Sequence, residues 1–424
     1  MEANLGGQQI IWERYWDELG RPETDILSNG MRVERSYDAA GRLLTLTNEI
    51  DDRPISNFDY SYNPAGTIKE LTKTFISPEQ DTIGKYVLAY TYDNLDRLVS
   101  ASTDGVFEYD PLGNQLQRSG TYNEINQLQE DSEFSYSYSI NGNLSSKASK
   151  IIGEKIEYFW DNENKLTHLT VRNADNSIKK SMLYKYDGNG RRIAKEVNGS
   201  RTNYLYDNED IVLELGDNNI LKAMYLHGPG IDEPIAMIRD INGNGAFEED
   251  ELFFYTKDHL NSIHALTNKD GRPVQRYNYS AYGKTKIEKT SAADKLVKNP
   301  YGYTSREWDE ETGDYYYRAR YYDPSTGRFL TPDPIGFKGG DANLYRYVGN
   351  NPVLYVDPYG KNRFAIAVGG LLVTYLFYKY VVDPNFVLIP DAFPKEPESD
   401  PKPPGPSCNP GLQSCEPPGP KQCN

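Results

Sequence analysis

The sequence predicts an all-β fold built from repeated hairpins, and three observations predict it. Tyrosine is in large excess, with 35 Tyr against 14 Phe and 4 Trp in 424 residues. A short aromatic-Asp-turn motif recurs through most of the chain. The runs between its copies are rich in aromatic and β-branched residues, which favour pleated strands. A tyrosine ring buries apolar area while its hydroxyl reaches water or a partner, which suits a thin sheet better than a deep aliphatic core. The 38% hydrophobic content and mean hydropathy of -0.72 agree with modest burial on each face.

Residues 1–30 show no clear period, and Ile10–Trp12 and Tyr15–Trp16 fit a strand or a short helix equally. Repeats are expected over 31–283. Copies begin at Tyr37-Asp38, Tyr62-Asn63, Tyr92-Asp93, Tyr109-Asp110, Tyr122-Asn123, Tyr138-Ser139, Trp160-Asp161 and Tyr186-Asp187, and each closes on Gly or Asn/Asp a few residues later. Asp or Asn opens such a turn by bonding nearby backbone, and Gly or Asn tolerates positive φ at its far end. One hairpin cannot bury its apolar face alone, so units of this kind stack into a long sheet. The aspartates of these turns read as structural. The four His, at 168, 227, 259 and 264, read as surface or core residues in strand-like contexts.

The segment Asp240–Glu251 fits the twelve-residue calcium-loop pattern, with Asp240, Asn242, Asn244 and Glu251 as side-chain ligands and Ala246 as the carbonyl ligand. Calcium would pin a hairpin there and do no chemistry. The strand-like runs Ile235–Ile238 and Leu252–Tyr255 stand where paired helices normally flank such a loop, so a plain Asn-Gly turn is the competing reading. No cofactor is required elsewhere.

The net charge of -16 argues against nucleic-acid binding by the repeat body, which needs a basic face to displace counterions. Residues 1–20 carry charges and no apolar core, so no signal peptide is expected. Membrane association, or secretion by a route that needs no such signal, is the expected localisation. The three cysteines, at 408, 415 and 423, all lie in the tail.

The densest stretch is Arg318–Gly360. It contains Tyr321-Tyr322-Asp323-Pro324, Gly327-Arg328-Phe329, Asp333-Pro334, Asn343-Leu344-Tyr345, Asn350-Asn351-Pro352 and Asp357-Pro358-Tyr359-Gly360. In these residues and their order the chain resembles the core signature of the Rhs/YD-repeat family. The resemblance implies a strip of sheet that spirals into a shell around a C-terminal effector polypeptide, with the core as an inward plug over 284–361. Chains of this family carry far more repeat sequence, so a partial shell is expected here.

Two carboxylates held together cannot both ionise cheaply, and such a pair can activate water with one member and protonate a leaving amide with the other. From the residues alone, Asp333 and Asp357 read as turn caps. The resemblance implies an aspartyl autoprotease with Arg320, Asp333 and Asp357 as its catalytic set, cutting between Lys361 and Asn362. The family usually has Leu where this chain has Lys361, and a charged side chain fits an apolar pocket poorly.

Residues 362–390 are apolar and near the lower length limit of a membrane span; a buried segment inside the shell is the alternative. Residues 391–424 are Pro-rich and read as a disordered tail. The expected partners are the chain's own C-terminal segment, a delivery apparatus or immunity protein, and a membrane. The function the resemblance implies is a shell that carries its C-terminal peptide in a contact-dependent toxin system. The alternatives are a non-catalytic, membrane-anchored surface repeat protein that binds carbohydrate or a neighbouring cell, and an inactive fragment.

Overall fold

The computed structural model describes residues 1–77, 82–290, 292–293 and 295–361, and the backbone of 364–365. It is all-β. A ten-stranded sheet runs from Glu2–Leu5 to Gly105–Val106, and a sixteen-stranded sheet from Thr121–Tyr122 to Thr285–Lys289. Every strand in both pairs with its sequence neighbours in antiparallel fashion, so each sheet is a continuous meander. A four-stranded sheet spans Glu307–Asp309 to Arg328–Phe329, and Tyr355–Val356 pairs with Phe364–Ala365.

One turn shows why the sequence folds this way. The Asp38 amide donates to the Arg42 carbonyl at 2.9 Å, while Asp38 Oδ1 accepts from the Ala40 and Arg42 amides. Arg42 Nε closes the turn on Asp38 Oδ2 at 2.7 Å. The same set recurs at Asp93 and Asp187.

Several turns are also tied to the next. Arg42 lies over the Tyr62 ring at 4.6 Å, Arg97 over Tyr109 at 4.9 Å and Arg191 over Tyr206 at 5.2 Å. The tyrosine hydroxyl then donates back to the first strand residue of the preceding unit, as Tyr62 does to Leu43 and Tyr109 to Leu98, both at 2.6 Å. Stacking, charge and hydrogen bonding thus repeat at one edge of the sheet.

Residues 1–30, which show no period in sequence, form strands Glu2–Leu5, Gln8–Trp16 and Pro22–Leu27 of the first sheet. Asp17 makes the same turn bonds to Leu19 and Arg21, and Arg21 stacks on Tyr37 at 4.4 Å. Trp16-Asp17…Gly20-Arg21 is therefore a further copy of the motif.

The sheets meet through apolar side chains. Leu5, Ile10 and Trp12 of the first pack with Ile235, Leu252 and Phe254 of the second. Phe58 and His264 touch edge to face at 5.2 Å. The core segment fills the interior: Tyr315, Tyr317, Tyr322 and Tyr347 are completely buried and cluster around Phe329. Most of the apolar segment 362–390, the tail 391–424 and its three cysteines lie outside the described residues.

Candidate functional site

The core segment is seated by reading one position of the repeat turns. Asn351 donates to the Asp96 carbonyl at 2.9 Å, Asn350 to Gly113 at 2.8 Å, Tyr345 to Gly142 at 2.8 Å and Tyr316 to Gly190 at 2.8 Å. Each acceptor is the closing residue of a turn. Buried ion pairs add to this: Arg192 of the second sheet holds Glu307 at 2.7 Å and Asp309 at 2.8 Å. Breaking one partner of such a pair strands the other charge.

Inside this seat the structure brings Arg320, Asp333 and Asp357 together. One terminal nitrogen of Arg320 contacts Asp333 Oδ2 at 2.9 Å and Asp357 Oδ2 at 3.1 Å. The guanidinium carbon lies over the Phe329 ring, 3.5 Å from its centroid. The three side chains line a cavity of about 190 Å³ beside Gly336, Gly340 and Asp341. Asp357 is the deeper acid, with its side chain 2% exposed, while Asp333 is 13% exposed. Burial raises the Asp333 carboxyl above its ordinary value, and Arg320 opposes that only in part. Burial also lowers the Arg320 guanidinium, against the pull of Asp357 and Asp333. The turn-cap reading of Asp333 holds as well, since its Oδ1 accepts from the Ile335 amide at 3.0 Å.

The Asp357–Gly360 turn is gripped residue by residue by 318–320. Arg320 takes the Asp357 carboxylate, Arg318 Nη1 donates to the Pro358 carbonyl at 2.5 Å, and the Ala319 amide donates to Tyr359 at 3.2 Å. Arg320 Nε then donates to the Gly360 carbonyl at 2.6 Å. Gly360 has φ +65°, and a Cβ there would fall 2.3 Å from the Tyr317 carbonyl oxygen. Only glycine fits.

Asp357 Oδ1 accepts from the Lys361 amide at 3.0 Å. The peptide gripped on both sides is therefore Gly360–Lys361, one bond before the expected cut; Asn362 lies outside the described residues. An apolar pocket was expected for residue 361. Lys361 instead borders a polar cavity of about 110 Å³ with Lys165, Glu209, Arg318 and Tyr359. Burial, and then the charge of Lys361, depress the Lys165 ammonium.

Sequence spacing did not point to Asp232. It pairs with Arg318 at 2.9 Å and also with Arg306, so a repeat-body loop orients the arginine that holds Pro358. No local motif signals a pairing across that sequence distance.

The calcium-like loop joins Pro234–Arg239 to Leu252–Lys257 as a hairpin. Asp240 accepts from the Gly243 and Gly245 amides, Asn242 from Asn244, Asn244 from Ala246, and Glu251 from Ile241 and Asn242. The side chains expected to ligate a cation thus also accept hydrogen bonds from the loop's own amides.

Comparison with known proteins matches this architecture. A family model described as the teneurin YD-shell matches residues 15–353. The tRNA nuclease WapA of Bacillus subtilis is 34% identical over 277 residues, covering 65% of this chain and 11% of that protein. The double-stranded DNA deaminase toxin A of Burkholderia cenocepacia is 25% identical over 387 residues, covering 84% of this chain and 26% of that protein. A solved Photorhabdus luminescens Tc holotoxin pore aligns with a TM-score of 0.59 at 19% identity, over 85% of this chain and 20% of that one. At that identity the likeness is one of fold alone.

Proposed function

The chain belongs to the Rhs/YD-repeat shell family, and from that premise we propose that it is a shell segment that encloses its own C-terminal peptide and cuts itself after Lys361. The observation that carries this reading is the gathering of Arg320, Asp333 and Asp357 on one cavity, with the chain entering residue 361 bonded to that set. The more exposed acid, Asp333, retains its proton to higher pH and faces the cavity. Asp357 accepts from Arg320 and from the Lys361 amide. In such a pair the ionised member takes a proton from an attacking water. The protonated member gives one to the departing Asn362 nitrogen. Arg320 holds the two in register through one shared terminal nitrogen, while its Nε and Nη1 are anchored on the Gly360 and Leu344 carbonyls.

In this reading the released tail is the cargo, and the setting is the toxin biology that the name of the Burkholderia cenocepacia relative prints. A delivery apparatus, an immunity protein and a membrane are partners of the proposal.

A second reading, a non-cleaving shell, is favoured by one specific feature. Lys361 and Lys165 bring like charges to the same small cavity, which opposes a tight fit at the bond to be cut. Intact mass of the purified chain separates the two readings. A break after Lys361 that disappears in Asp357→Asn supports self-cleavage, and an uncut wild type supports the inert shell.

A further inference from the structure

A third cavity, of about 100 Å³, lies where the first sheet meets the 230–235 loop and the 257–261 turn, and Val356 and Pro358 close one side of it. Trp12, Leu27, Val33, Leu43 and Leu46 give it an apolar wall. Its lining carries four carboxylates, Asp25, Asp232, Glu233 and Asp258, and three cations, Arg14, Arg35 and Lys257. Arg14 Nε binds Asp25 at 2.6 Å and its Nη2 binds Glu233 at 2.5 Å, while Arg35 Nη2 binds Asp25 at 2.8 Å. Asp25 and Glu233 are thus held by Arg14 and Arg35, and neither forms an ion pair with the third cation, Lys257.

Lys257 makes no hydrogen bond or ion pair among the described residues. Arg35 Nη1 is buried and has no hydrogen-bond partner. The other acids at the wall are engaged: Asp232 holds Arg306 and Arg318, and Asp258 accepts from the Leu260 and Ser262 amides. His259 is 8% exposed. Its Nε2 faces the Val353 carbonyl at 2.9 Å and so donates, which leaves Nδ1 a buried acceptor without a donor. Unmatched buried polar atoms of this kind carry a desolvation cost that a ligand removes.

We infer that this cavity is a binding site for a carboxylate borne on a short apolar body, with Lys257 and Arg35 as its donors. A free short-chain carboxylic acid and the carboxylate of a peptide share that chemistry. His259 Nδ1 is placed to accept an N–H or O–H from the same ligand. The site stands independently of self-cleavage.

Electrostatics agree with this assignment. Burial pushes the Lys257 ammonium down to about 8, with Arg14 and Arg35 adding to the effect and Glu233 and Asp25 opposing it. A bound carboxylate favours the charged ammonium, so binding takes up protons near pH 8 and weakens above it.

The test uses the full chain, with butyrate as the probe, followed by thermal shift and calorimetry. The expected result is a butyrate-dependent rise in Tm that Lys257→Met abolishes and Lys257→Arg retains, with affinity lower by about tenfold or more in Lys257→Met. In parallel, carbodiimide coupling and peptide mapping look for an amide bond from Lys257 to a carboxylate other than Asp25 or Glu233. That crosslink, competed away by butyrate, identifies a peptide as the occupant and also supports the site. Equal butyrate shifts in wild type and Lys257→Met overturn the inference. So does a folded wild type that shows neither a shift nor such a crosslink.

Discussion

The Lys361 amide donates to the Asp357 carboxylate at 3.0 Å, so the residue preceding the expected cut is tethered by one of the two acids expected to make it. Asp357 is thus an anchor for the chain before it is anything else. Its second oxygen is shared with Arg320, which couples the position of residue 361 to the arginine that also contacts Asp333. Chemistry at this site depends on how firmly the 357–361 turn is held.

Arg318 is the outer grip on that turn. Arg318→Ala removes the donor to Pro358 and leaves Asp232 with Arg306 alone. We expect hydrogen exchange of the Lys361 amide to quicken by about tenfold, and any self-cleavage to slow comparably, since one lost charged hydrogen bond is worth about 1.5–3 kcal/mol. Exchange mapped by mass spectrometry checks this even in a chain that does not cut.

The repeat turns supply a stability prediction. Tyr62→Phe deletes the bond to the Leu43 carbonyl but keeps the ring under Arg42. It should cost about 1 kcal/mol in urea unfolding. Arg42→Ala removes both the stacking and the Asp38 closure, and should cost about 1–2 kcal/mol.

Two neighbouring groups respond to pH in opposite senses. Burial pushes His227 down to about 4, so the unfolded state gains a proton first and stability falls as pH drops from the ordinary histidine range towards 4. Burial and then Asp232 push Asp210 up to about 7, so its contribution is full below the ordinary carboxylate range and is lost as pH rises towards 7. Asp210→Asn removes the second effect. Relative to wild type, the variant should gain about 2 kcal/mol more stability at pH 7 than at pH 4. Denaturant unfolding at the two pH values reads the difference.

The Asp240–Glu251 hairpin holds its own turn through side-chain acceptors. A chelator should therefore leave the Tm of the chain unchanged, and Asp240→Ala should lower it. A chelator-induced fall in Tm that added calcium reverses would instead assign the loop to the cation.

Much of the fold was legible because each turn is a local device. Tyr92, Asp93 and Arg97 lie within six residues, and the bonds that close the turn run between Asp93 and Arg97. The copy at Trp16–Arg21 was not read from the sequence, because it stands alone before the regular spacing begins. The candidate site was legible only in part. Arg320, Asp333 and Asp357 were named from the family resemblance, and the structure brings them together. Asp232, Arg192 and the cavity at Lys257 were not, because their partners come from strands far apart in sequence. No spacing rule links Arg192 to Asp309 or Arg14 to Glu233. The polar surroundings of Lys361 depend on Lys165 and Glu209 in the same way, and these become its neighbours only when the core segment seats against the second sheet.

The most direct test of the account is the intact mass of the purified 48.2 kDa chain beside Asp333→Asn and Asp357→Asn. The account predicts two fragments that separate after Lys361 in the wild type and a single uncut species in both variants. A wild type that stays whole, or variants that cut as the wild type does, would contradict it.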